Sequence, residues 1–107
     1  MVRWRLPLRR FMVADTSMQP NVYPGDRLLV STWSRPQVGD LVVFVHPNLH
    51  RTVLLKRVAA RTTTGLVVHG DNPNVSSDSR DFGEVPSALV IGTVLFRYRT
   101  GAAKHVR

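Results

Sequence analysis

The sequence predicts an all-β domain: a compact core of antiparallel sheets with little or no helix. Three observations lead there. Short apolar runs rich in valine and leucine recur along the chain. Turn-forming stretches such as Pro24-Gly25-Asp26, Gly39-Asp40 and Gly70-Asp71-Asn72-Pro73 separate them. Nowhere does an apolar period of 3.6 residues persist long enough to build an amphipathic helix. With 107 residues, the chain fits one domain, which buries roughly two thirds of its unfolded surface. That domain is expected over 1–100, with 101–107 a flexible basic tail.

The elements follow in order. At the N-terminus Val2, Trp4, Leu6 and Leu8 alternate with Arg3, Arg5 and Arg9. This is the period of a half-buried strand, and Pro7 places it on an edge. Further strands are expected over 27–31, 41–45, 52–59, 65–69 and 89–98. One helical turn near 87–89 is the most helix the sequence supports. In the last strand Phe96 and Tyr98 alternate with Arg97 and Arg99, arginines that suit a soluble sheet edge. Trp4 and Trp33 read as packing residues.

Composition narrows the function classes. There is no cysteine, which excludes a disulfide framework and a thiolate metal site. No run approaches the ~18 apolar residues of a membrane span, and the first residues lack the apolar stretch of a secretory signal. A net charge of +8 attracts acidic partners, whether nucleic acid, an anionic membrane face or an acidic protein. No nucleic-acid recognition motif accompanies it, so no specific nucleic-acid partner is expected, and peripheral contact with an anionic membrane stays open. His46 and His50 are four apart, but Pro47-Asn48 between them makes a loop of the segment. No metal and no cofactor are expected.

Two residues carry chemistry. Ser17 lies in Val13-Ala14-Asp15-Thr16-Ser17-Met18-Gln19-Pro20, and Lys56 in the apolar run Val53-Leu54-Leu55-Lys56-Arg57-Val58. A serine hydroxyl becomes a good nucleophile when a base takes its proton. A lysine serves as that base only when neutral, and apolar surroundings favour the neutral amine. If the two side chains meet, they form a Ser-Lys dyad. A long polar loop over 70–83 holds Ser76, Asp78, Ser79 and Arg80. Ser76 or Ser79 could orient a lysine amine, and Asp78 with Arg80 could brace the loop by an ion pair.

Several segments recur in one order: Ser17-Met18-Gln19-Pro20, Gly25-Asp26, Gly39-Asp40-Leu41-Val42-Val43-Phe44, Lys56-Arg57-Val58, Gly70-Asp71-Asn72 and Ser76-Ser77-Asp78-Ser79-Arg80-Asp81-Phe82-Gly83. Together they resemble the boxes of the type I signal peptidase (S26) family of Ser-Lys proteases, across about 13–98. The resemblance implies a serine endopeptidase with Ser17 as nucleophile and Lys56 as general base. It implies that the Ser17 backbone amide contributes to the oxyanion hole and that Ser76 orients the lysine. Asp78 and Arg80 match the supporting pair. Val13, Ala14, Asp15, Met18, Val22 and Leu55 match the positions lining a shallow substrate pocket, which suits small residues one and three places before the cut.

Two departures bear on activity. Relatives mostly carry glycine or serine two residues before the nucleophile, where this chain has Asp15. A carboxylate aimed into an oxyanion hole opposes the developing negative charge. If the sequence is complete as given, it is also expected to be without the membrane anchor and the extra β domain usual in secretory signal peptidases. In this it is similar to the short soluble maturation proteases of nickel-containing superoxide dismutase. That likeness implies a monomeric cytoplasmic enzyme trimming the propeptide of a precursor protein, that dismutase being the precursor it points to. The alternatives are signal peptidase-like processing of exported proteins at a membrane, and an inactive basic binding module on the same fold.

Overall fold

A computed structural model of the chain describes residues 7–74 and 77–99. Its strands are β1 (Leu8–Met12), β2 (Arg27–Ser31), β3 (Leu41–Val45), β4 (Val53–Arg61), β5 (Gly65–His69), β6 (Val85–Pro86) and β7 (Val90–Tyr98). They form one seven-stranded sheet in the order β1-β2-β7-β3-β4-β5-β6. Every pairing is antiparallel. The all-β expectation holds, and β2, β3 and β5 have the bounds expected for them. The N-terminal edge strand is β1, while the alternation over 1–6 lies outside the described residues, as does the tail over 101–107.

Helix is where the expectation needs correction. The turn at Ser87–Leu89 is present as a 3₁₀ helix. A four-residue helix, α1 (Ser79–Phe82), also stands inside the segment read as an irregular loop. Its cause is local. The Asp78 side chain accepts the Arg80 N–H, and Asp81 reaches back to the Asp78 N–H, a reciprocal capping box. Gly83, at φ 82°, ends the helix in the left-handed region that glycine tolerates.

The core is split between two apolar clusters. Val13, Met18, Val22, Leu28, Val30 and Val43 form one; Val42, Phe44, Val58, Leu66, Val68 and Val85 form the other. Successive strand residues face opposite sides, so β3 feeds both clusters, Val43 one and Val42 with Phe44 the other. This explains its unbroken apolar sequence. β2 instead alternates, with Leu28 and Val30 inward.

β7 is the least regular strand. A bulge against β2 adds Leu95 between the Leu29–Phe96 and Val30–Val94 pairs, and Leu95 and Phe96 are both exposed. Gly92 lies so close to β2 that a Cβ there would sit 2.4 Å from the Ser31 carbonyl oxygen.

Two further expectations change. Trp33 is 77% exposed and packs no core; Trp4 lies outside the described residues. Arg97 and Arg99 do more than solubilise an edge. Both pair with the buried carboxylate of Asp26, Arg99 Nε donating to Oδ1 at 2.6 Å and Arg97 lying 3.7 Å from Oδ2.

Candidate active site

The loop from β1 to β2 positions Ser17. Its neck is closed by two backbone bonds, Val13 N–H to Asp26 O and Gly25 N–H to Val13 O, each 2.8 Å. Inside it, Asn21 and Val22 both donate to the Met18 carbonyl at 3.0 Å, winding one helical turn. Met18 and Val22 drive this turn into the first core cluster. Ser17 is thereby held with only 4% of its surface exposed. The Asp26 carboxylate accepts the Tyr23 N–H at 2.9 Å and so fixes the far end of the loop.

Lys56 stands in the middle of β4, opposite Val42 of β3. Leu54 and Val58, on the same face, belong to the second cluster. The side chain is 2% exposed. Burial pulls its pKa below the ordinary lysine value. The charges of Asp15 and Asp78 pull the other way and do not fully compensate. Among the described residues, neither the Lys56 amine nor the Ser17 hydroxyl is engaged in a hydrogen bond or ion pair.

A chain of polar contacts joins the two segments. Arg57, next to Lys56, grips Asp71 with both arms of its guanidinium, Nε to Oδ1 at 2.9 Å and Nη2 to Oδ2 at 2.7 Å. Asp71 also accepts from Asn21 Nδ2 at 2.8 Å, and its N–H points at the Met18 sulfur at 3.4 Å. Asn72 donates its N–H to the Ser17 carbonyl at 2.8 Å and its side-chain amide to the Thr16 carbonyl at 3.0 Å. The turn over 70–72 therefore ties the serine loop to β4. Arg57, Asp71 and Asn72 received no role from the sequence. Arg57 beside the lysine and the acid in the Gly-Asp-Asn turn were the signal available.

Asp78 secures the other end of that turn. Its carboxylate is fully buried and accepts from Gly70 N–H at 2.9 Å, Arg80 N–H at 3.0 Å and Arg80 Nε at 3.0 Å. The Arg80 hydrogen bonds come first among the influences that hold it well below the usual carboxylate range, against the opposing effect of burial. The expected Asp78–Arg80 pair is therefore present. Ser76 lies outside the described residues. Ser79 does not face a lysine: its hydroxyl accepts the Val68 N–H at 2.8 Å. His46 Nδ1 accepts the Asn48 and Leu49 N–H groups at 3.0 and 3.2 Å, which gives it a turn-capping role.

Beside the serine loop runs a groove of about 90 Å³. Of the six pocket positions expected, Val13, Ala14, Asp15 and Leu55 line it, joined by residues of β1 and β4. Met18 and Val22 lie in the core beneath. A larger cleft of about 370 Å³, with Arg35 and Arg61 in its wall, contains neither Ser17 nor Lys56. Asp15 turns its carboxylate onto the Ser17 N–H at 3.1 Å. The amide that the resemblance gives to an oxyanion is thus occupied.

A family model described as signal peptidase, peptidase S26, matches residues 2–64, a span holding both Ser17 and Lys56. This chain belongs to the S26 signal peptidase family. It is 31% identical to a probable signal peptidase I-1 of Synechocystis sp., over 85% of this chain and 74% of that protein. It is 30% identical to subunit 1b of the mitochondrial ATP-independent inner membrane protease of Arabidopsis thaliana, over 76% of this chain and 64% of that protein. Among the described residues no helix is long and apolar enough to cross a membrane.

Proposed function

We propose that this S26 family member is a serine endopeptidase acting through a Ser17–Lys56 dyad on the N-terminal extension of a precursor protein. The observation that carries the reading is Lys56, buried on the sheet face it shares with Leu54, Val42 and Val58, whose pKa is pushed down by burial. A lysine at a strand centre ordinarily sends its head to water. An amine whose pKa is lowered, near enough to the serine loop to feel the charge of Asp15, is the equipment of a general base.

The steps follow. Lys56 Nζ takes the Ser17 Oγ proton as Oγ bonds to the scissile carbonyl carbon. The oxygen becomes an anion and is stabilised by the Ser17 N–H. The Lys56 ammonium returns its proton to the leaving amine as the C–N bond breaks. Water, deprotonated by the same amine, then attacks the acyl-serine and releases Oγ. Ser76 orients the lysine, and Asp78 with Arg80 keeps the turn over 70–72 in place.

Two precursors are proposed. The resemblance to soluble maturation proteases favours the propeptide of nickel-containing superoxide dismutase. The likeness to a probable signal peptidase I and a mitochondrial inner membrane protease favours exported or membrane-sorted proteins. Whether the chain works in the cytoplasm or at a membrane follows from which precursor it cuts. Incubating the protein with each precursor and weighing the new N-terminus decides. Cleavage of neither, or cleavage undiminished in Ser17→Ala, overturns the assignment.

A further inference from the structure

One N–H cannot serve two acceptors equally. In the resting protein the Ser17 amide donates to Asp15 Oδ1 at 3.1 Å, yet the proposed chemistry needs that donor for the substrate's oxyanion. A carboxylate in the same place also repels the anion as it forms. Asp15 must therefore leave before the reaction proceeds. It is exposed and can swing out without repacking the core.

The groove indicates what draws it away. Every other lining residue, among them Phe11, Met12, Leu28 and Val53, is apolar. Asp15 is the single charged group that a bound peptide meets there. A lysine or arginine near the scissile bond would find one acidic partner lining the groove, this carboxylate. The net charge of +8 does not cancel the effect, because exposed charges beyond a Debye length of about 8 Å are largely screened. A neutral peptide offers the carboxylate nothing in exchange for the amide.

We propose that Asp15 is a specificity latch on the Ser17 amide, released by substrates carrying a basic side chain near the bond to be cut, at a position other than the small residues one and three places before it. The inference rests on the dyad reading above and adds the substrate class to it. Loss of one oxyanion donor lowers kcat by about 10²–10³ in other serine enzymes, which sets the ceiling on the selectivity. A preference of about tenfold is expected, since an ion pair to an exposed carboxylate recovers only part of that.

The test compares peptides differing at one position, lysine against its neutral analogue norleucine, placed in turn two residues before the bond and at the two positions after it, with small residues kept one and three places before it. Wild type should show the preference in kcat/KM at one position. Asp15→Gly should cut both peptides at one rate and the neutral peptide faster than wild type does. Asp15→Asn keeps an acceptor on the amide but no charge, so it should lose the preference and stay slow. Equal rates in wild type, or a preference that survives Asp15→Gly, overturns the latch and leaves the dyad standing. Cleavage that survives Ser17→Ala overturns the dyad instead. Binding gives an independent readout. In Ser17→Ala the amide resonance at position 17 should shift with the lysine peptide and not with the norleucine peptide. Identical shifts with the two peptides overturn the latch even where no turnover is measured.

Discussion

Folding penalises the charged form of Lys56. Its pKa is lowered in the folded protein, chiefly by burial. An unfolded chain therefore binds a proton that the folded one releases. The penalty is full below the folded pKa and fades as pH rises towards the ordinary value near 10.4. Lys56→Met keeps similar bulk and removes the titrating amine. It is expected to be more stable than the parent at neutral pH, with the gap closing on the alkaline side, and to have no turnover. Denaturant unfolding of both proteins from pH 6 to 10 checks this, and a variant less stable throughout would mean that Lys56 is charged and paired. Ser17→Ala should lower kcat by several orders of magnitude, up to about 10⁶, and Ser17→Ala with Lys56→Met should be no worse, because the two act as one unit. Both residues were legible in the sequence, since an apolar run around a lysine is a signal in itself. The bond from the Ser17 amide to Asp15 was legible only as a conflict of charge, because direction is not written in residue type. The Arg57–Asp71 grip was not legible at all. It joins residues 14 apart across a turn, and many other acids could have met that arginine.

At the level of elements, boundaries set by turn residues were read well and those set by caps were missed. β2, β3 and β5 begin at Asp or Gly punctuation, and β3 and β5 end just before Pro47 and Gly70. Helix α1 has too few residues for any periodicity to register, and its origin is the Asp78 cap. Asp78→Ala removes that cap and the acceptor of the Gly70 N–H. It is expected to cost about 1–2 kcal/mol and to lower kcat more than it changes KM, since the turn over 70–72 loses one anchor. Chemical denaturation with steady-state kinetics checks both halves, and unchanged kcat would confine Asp78 to folding. Gly92→Ala tests the close approach of β7 to β2. Both backbone and Val30 crowd the added carbon, so about 1–3 kcal/mol of destabilisation is expected, readable as a lower Tm. A Tm equal to the parent's would show that the strands separate easily. The bulge that exposes Leu95 and Phe96 together was beyond a reading that assumed strict alternation.

Across the whole molecule, acid sensitivity should follow from three carboxylates. Asp78 and Asp71 are held low first by Arg80 and Arg57 hydrogen bonds. For Asp26, burial pushes up, but the Arg99 bond, the Tyr23 N–H and two arginine charges outweigh it. Each lowered pKa adds stability that is present above the unfolded value near 3.9 and is lost as pH falls towards the folded one. The Tm should therefore hold near neutrality and fall below about pH 5. Asp26→Asn should be less stable at pH 7 and flatten that fall, and a flat parent curve down to pH 3 would remove the argument. The order of the sheet carries a different consequence. The serine loop follows β1 and the lysine sits in β4, yet β2 and β3 never pair. β7, which follows both of them in the chain, is hydrogen-bonded to both. Before β7 is made, the serine hairpin and the lysine hairpins share no sheet hydrogen bonds among the described residues, and only the turn over 70–72 and the first core cluster hold them together. The activity proposed above should thus arrive only once β7 has been made and inserted. The same layout makes the enzyme divisible: a fragment ending before β7 should be inert, and a supplied β7 peptide should restore cutting, much as a missing stave closes a cask.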